Sequence, residues 1–359
     1  MKKIFQVLFL ALLSVGALIA CSAKTYEIAL VTDVGNIDDK SFNEGAWNGV
    51  KEYAEANDIT YNYYRPGEDS TAARVETIEN AIANGAKVVV CPGFLFEEAI
   101  YEVQGDYPNV NFLLLDGTPH TGDYSVFYTA PNVHCIKYQE EQAGFLAGYA
   151  AVMDGYRDLG FVGGMAVDPV IRFGYGYIQG AEVAAAELEL TAGDVTIKYY
   201  YAGVFAGSDA LETKMDGWYA AGTEIIFACG GKLYTSVVAA AGATADGKVI
   251  GVDVDQVAES DRIVTSAMKA LTLSVQMALT SLYSNGGTWS PANAGTLTIL
   301  GVGQEGVGLP TATASWRFDN FTITQYNAIF NKLVTGEISV DDSVSVQPTV
   351  TLVDVDYTA

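Results

Sequence analysis

Short β-rich runs alternate with helical stretches from residue 26 onward, and this alternation leaves few folds open to the chain. The runs lie at residues 28–32, 61–64, 88–90, 112–115 and 126–128, with helical stretches at 72–84 and 96–101 and another starting near Phe42. Alternation on this scale predicts βαβ units and a parallel sheet. Right-handed crossovers then place helices on both faces. After an Ala- and Gly-rich helix at 138–153 the pattern resumes, with strands at 159–162, 196–201, 225–228 and 249–252. The helices of this second series fall at 173–189, 208–220 and 234–243. A strand ending in Lys269, a helix to about Tyr283, a strand at 297–302, a helix at 322–333 and an extended tail at 344–357 complete the chain. The outline is two similar α/β lobes with no flexible linker between them, so the lobes must be joined by crossing segments, which suits a hinge. The expected division is 21–135 plus about 256–320 for the N-terminal lobe and 136–255 plus about 321–359 for the C-terminal lobe.

The first twenty residues stand apart. Lys2 and Lys3 precede an apolar run from Ile4 to Ala20, and Cys21 follows at once. That is the pattern of a secretory signal, here residues 1–20. Leu18-Ile-Ala-Cys21 resembles a lipobox, which implies cleavage before Cys21 and a lipid on its thiol. Loss of the two lysines takes the formal net charge from −24 to −26. So acidic a surface disfavours nucleic acid and anionic headgroups as partners. Cys91 and Cys229 end apolar runs and read as buried small side chains. With His120 and His134 the only histidines and no Cys/His ligand spacing, no metal site is expected. His120, in a loop after Pro119, is expected at the surface.

Catalytic signatures are scarce: there is no P-loop, no GxSxG and no HExxH. The glycines of 174–180 fall inside a predicted helix and read as packing. Polar and aromatic residues remain at the predicted carboxyl ends of strands, where open α/β sheets bind ligands. Asp33, Asp39, Phe42 and Asn43 follow the first strand, with Ser41 or Asn43 expected to cap the helix. Asp116 follows 112–115, Phe205 lies beyond 196–201, and Gly230 and Gly231 follow 225–228. Asp253 and Asp255 close 249–252, and Lys269 closes its own run. Carboxylates, one lysine and two aromatics on the rim between facing lobes suit a neutral polyol or heterocycle.

Four segments carry a family resemblance: TDVGNIDDKSFN at 32–43, EQAGFLAG at 141–148, GVDVDQ at 251–256 and VTSAMK at 264–269. On these the chain resembles the basic membrane protein family of bacterial lipoproteins, substrate-binding proteins of ABC transporters. The resemblance implies a type I periplasmic-binding fold, two doubly wound parallel-sheet lobes joined by a hinge, and a purine nucleoside as ligand. It further implies a base stacked between Phe42 and Phe205, with Asp33, Asn43 and Asp116 on the base side. Ribose hydroxyls would be held by Asp253 and Lys269, near Gly230 and Gly231. The implied protein is a monomer without catalysis or cofactor, held at the cell membrane by its lipid, facing the periplasm or exterior, and delivering to an ABC permease. Two other readings fit the residues: a pentose-binding protein of the same fold, and an exported nucleoside hydrolase using Asp33, Asp38 and Asp39 around a metal.

Overall fold

The computed structural model describes residues 25–33 and 35–359. The expected signal segment and Cys21 lie outside the described residues. Two parallel sheets organise the fold. The first contains β1 (Ile28–Val31), β2 (Tyr61–Tyr64), β3 (Val88–Pro92), β4 (Asn111–Leu115) and β5 (Val133–Tyr138), with α1 (Phe42–Ala56), α2 (Thr71–Ala83) and α3 (Glu97–Val103) in the crossovers. The chain then enters the second unit: α4 (Glu140–Asp154), β6 (Asp158–Gly163), α5 (Asp168–Glu187), β7 (Val195–Tyr201), α6 (Asp209–Ala220), β8 (Ile225–Cys229), α7 (Leu233–Gly242), β9 (Lys248–Asp253) and β10 (Ile263–Lys269). It returns for α8 (Leu271–Ser284) and β11 (Thr296–Leu300), then crosses again for β12 (Val307–Gly308), α9 (Ile323–Val334) and β13 (Val353–Asp356).

The sheet orders are β11-β5-β4-β3-β1-β2 and β12-β10-β9-β8-β6-β7-β13, and only the β10–β12 pair is antiparallel. Both sheets therefore share one doubly wound core, in which the first strand of the lobe lies between its second and third. The order reverses beside β1 and β6, which fixes where a ligand crevice can open. The central strands are apolar on both faces because helices cover both: Ile28 to Val31 are wholly buried. Helix starts are fixed locally. The Ser70 and Ser208 hydroxyls accept from the N–H groups of Ala73 and Leu211, and Thr322 with Gln325 makes a capping box on α9.

Three segments cross between the lobes, at Tyr138–Glu140, Lys269–Leu271 and Leu300–Val302. They hold one another: Gln139 N donates to Leu300 O at 3.0 Å, Ala270 N to Gly306 O at 2.9 Å, and Val302 N to Gln142 Oε1 at 2.8 Å. Sheet membership differs from the expected division in one respect. Residues 256–320 were assigned to the N-terminal lobe, yet β10 pairs with β9 and β12 with β10, both in the second sheet. The return to the first lobe begins after Lys269, because residues 263–269 extend the second sheet beside β9, with one register shift between Ile263 and Thr265. Residues 126–128 form no strand. They sit in a loop with a single bridge between Phe127 and His120, too short a pairing to extend a sheet.

Candidate functional site: the cleft between the lobes

The first wall is built at the carboxyl end of β1. Asp39 caps α1, accepting from the backbone N–H groups of Ser41, Asn43 and Glu44 at 2.9, 3.1 and 3.1 Å. Asn43, the second residue of the helix, donates its amide to Asp33 Oδ1 and Asp39 Oδ2, both at 2.9 Å. The two carboxylates are thus spaced by a single amide. Burial pushes the pKa of both upward, against the hydrogen bonds they accept. Phe42, the first residue of the helix, is left half-exposed toward the cleft.

The second wall rests on glycines. A Cβ on Gly230 would stand 2.8 Å from Phe205 Cδ1, one on Gly231 would meet the Phe205 carbonyl, and one on Gly164 would overlap the ring itself. Gly230 and Gly231 also take positive φ of 135° and 49°, open to glycine at little cost. Phe205, in the loop after β7, therefore lies on a floor of backbone at the ends of β6 and β8. Val170 and Phe173 from α5 line the wall beside it.

Charged groups join the two walls. Asp116 and Asp253 end β4 and β9 in corresponding places, and both adopt the left-handed region, with φ of 59° and 65°. For a residue other than glycine this costs roughly 1–3 kcal/mol, a strain that concentrates at binding sites. Asp253 accepts the Ser41 hydroxyl across the cleft at 2.5 Å. Beside it Gln256 donates to the Lys40 carbonyl at 2.8 Å. The Lys269 ammonium pairs with Asp116 of the first lobe and with Glu140 of the second, the latter at 2.9 Å. Arg172 Nε donates to the other oxygen of Glu140 at 2.6 Å. Burial raises the carboxyl of Asp116 to about 7 and that of Asp253 to about 6, against the attraction of Lys269. Burial also works against the charge of Lys269, but Asp116, Glu140 and Asp253 outweigh it and its pKa rises. Asp116 Oδ1 is buried without a hydrogen-bond partner, on a residue that lines the cavity.

These walls enclose a cavity of about 570 Å³, within the roughly 300–1,000 Å³ usual for small-molecule sites. Residues 27–343 match the family described as Bmp, ABC transporter substrate-binding protein PnrA-like. The chain belongs to the Bmp family. The nucleoside-binding protein BmpA of an ABC transporter in Lactococcus lactis is 28% identical over 278 residues, covering 71% of this chain and 74% of that one. Basic membrane protein B of Borreliella burgdorferi is 27% identical over 301 residues, covering 82% and 83%. In fold, the chain is similar to a solute-binding protein of an ABC transporter from Aeropyrum pernix K1, with a TM-score of 0.72 at 20% identity over 90% of this chain and 94% of that one. It thus has the periplasmic-binding fold expected from the sequence.

In this Bmp-family chain all ten residues singled out from the sequence line the one cavity: Asp33, Asp39, Phe42, Asn43, Asp116, Phe205, Gly230, Gly231, Asp253 and Lys269. Cys21 lies outside the described residues. Gly230 and Gly231 reach the site by seating Phe205. Asp255 turns away and accepts the Ser315 hydroxyl. Asp38 is exposed and faces Lys232 at 3.7 Å, so it does not converge with Asp33 and Asp39, and no His/Cys/Asp/Glu group suited to a metal occurs among the described residues. His120 is buried, contrary to expectation, because its ring contacts Glu97 at 3.1 Å and stacks on Tyr124. Sequence reasoning missed Glu140, Arg172 and Phe173. Ser41 was read as a helix cap, but it turns its hydroxyl to Asp253 and leaves the capping to Asp39. Only an acidic first turn directly after a strand signalled Glu140.

Proposed function

We propose that this protein captures a purine nucleoside between its lobes and delivers it to an ABC permease, without catalysing a reaction. One observation carries the reading: each lobe gives the cavity an aromatic ring, Phe42 from the start of α1 and Phe205 from its glycine floor, amid buried acceptors. A planar base stacks between rings, and Asp33, with the Asn43 amide oxygen, offers acceptors to its edge. Asp253 accepts from ribose hydroxyls, and Lys269 beside it offsets the carboxylate's burial. The Lactococcus lactis relative, a nucleoside-binding protein, supports the same ligand class. The ligand's contacts with both walls favour the closed arrangement by its differential affinity for it.

Calorimetric titration with inosine, guanosine, adenosine and ribose, alongside an assay for released base, tests the proposal. Tight binding of a purine nucleoside, weak binding of ribose and no base release are expected. Preference for ribose would move the protein to the sugar binders, and release of base would make it a hydrolase. The same reading has the mature monomer held at the cell membrane by lipid on Cys21. C21S should release the protein from membranes or block its maturation, and a processed variant that still fractionates with membranes would refute the anchor.

A further inference from the structure

An ammonium group has three N–H donors. On Lys269 one donates to Asp116, and Glu140 Oε1 stands 2.9 Å from Nζ as an ion pair without a hydrogen bond of its own. The rings of Phe42, Tyr138 and Phe173 stand 5.0, 5.3 and 5.4 Å from Nζ, and Lys269 still lines the cavity. The direction of the N–H groups left for a ligand is therefore set by the two carboxylates that hold the ammonium. Asp116 sits on the opposite lobe and moves with it, so it is a poor reference for orientation. Glu140 is a good one. It is fully buried in the first turn of α4, where the helix N-terminus favours its charge. Its second oxygen is pinned by Arg172 at 2.6 Å. Although burial opposes ionisation, Lys269 and Arg172 hold its pKa below the usual carboxylate range.

We propose that Glu140, held by Arg172, is a positioning residue: through its ion pair it orients the Lys269 ammonium so that a free N–H meets a sugar hydroxyl of the ligand. Glu140 itself lies outside the cavity wall. The inference rests on the nucleoside reading and adds the device that gives the sugar end its selectivity. A purely structural cluster would affect every ligand alike, whereas an oriented donor matters only to a ligand carrying the hydroxyl it meets.

The test is calorimetry on wild type, E140Q, K269M and E140Q/K269M with a ribonucleoside and its 2′-deoxy and 3′-deoxy counterparts. E140Q should weaken the ribonucleoside tenfold or more and at least one deoxy analogue by threefold or less. The double variant should bind no more weakly than K269M alone. Equal losses for all three ligands, or losses that multiply in the double variant, would overturn the inference while leaving the nucleoside reading in place. A wild type that binds no nucleoside would overturn both. If E140Q is too unstable to assay, E140Q/R172Q removes the cation left unpaired and carries the same expectation.

Discussion

Phe42 and Asp253 do different work at the residue scale. Stacking is worth roughly 1–3 kcal/mol per aromatic contact, so F42A should weaken nucleosides about 10- to 100-fold while ribose, with no base to stack, loses far less. Equal losses in the two titrations would make Phe42 a packing residue. Asp253 already holds the Ser41 hydroxyl across the cleft, so on the proposed reading it would contact the sugar and tie the lobes at once. D253A should cost on the order of 2–4 kcal/mol in ribonucleoside affinity by leaving ligand hydroxyls unpaired in a desolvated cleft. It should also narrow the preference for ribosides over 2′-deoxyribosides, and S41A, which loses only the tie, should leave that preference intact. Calorimetry on both ligand types separates the two roles. Asp33, Asp116, Asp253 and Lys269 were legible in the sequence because each closes an apolar run. Glu140 and Arg172 were not, because their partners lie 129 and 32 positions away for Lys269–Glu140 and Glu140–Arg172, and no local periodicity records such a distance.

The decisive element-scale contact is between α4 and α5. Gly144 and Gly148 lie against the carbonyls of Phe173 and Tyr177, and Gly176 and Gly180 against those of Glu141 and Phe145. A Cβ at any of the four would overlap a carbonyl oxygen, so the backbones touch directly. G176A should destabilise the chain by roughly 1–3 kcal/mol or more through overpacking. G217A, in α6 with open space around it, should be neutral or stabilise by up to about 1 kcal/mol. Thermal melts of the pair check both. The Ala- and Gly-rich pattern at 138–153 marks a close-packing helix, and the glycines of 174–180 read as packing; Gly176 and Gly180 meet α4, whereas Gly174 meets Tyr199 and Phe161. What the pattern did not carry was the consequence: α4 begins at Glu140 and α5 presents Arg172 and Phe173, so the contact fixes the hinge-side charges relative to the cavity.

For the whole molecule, buried carboxyls make stability depend on pH. Burial raises Glu141 to about 8, Asp116 to about 7 and Asp253 to about 6, from ordinary values of 4.5, 3.8 and 3.8. Each keeps its proton in the folded chain at a pH where the unfolded chain has lost it. Their stabilisation is thus complete below about pH 4 and is lost as pH rises through the folded values. The unligated protein should weaken steadily between about pH 4.5 and 8. Urea midpoints at pH 5 and pH 8.5 measure the decline, and E141Q should flatten its upper part. A wild-type slope unchanged in E141Q would assign the decline to other groups.

The three crossings also bear on how the chain is made. One face of the first sheet is covered by α1 and α8 together, through Val275, Leu279 and Leu282, and one of its edge strands is β11. Translation delivers β1 to β5 first, but α8 and β11 come only after the whole middle of the second lobe. An N-terminal segment emerging ahead of them exposes an apolar sheet face with no partner yet synthesised, a state prone to aggregation. Such a chain gains from staying unfolded until residue 300 has appeared, and export through a membrane channel before folding meets that need. A fragment ending at Lys269 should accordingly fail to give a folded first lobe and should precipitate on refolding, whereas the same fragment supplemented with a peptide spanning 270–302 should recover solubility. Recovery of a cooperative melt from the shorter fragment alone would show that the discontinuity imposes no order on folding.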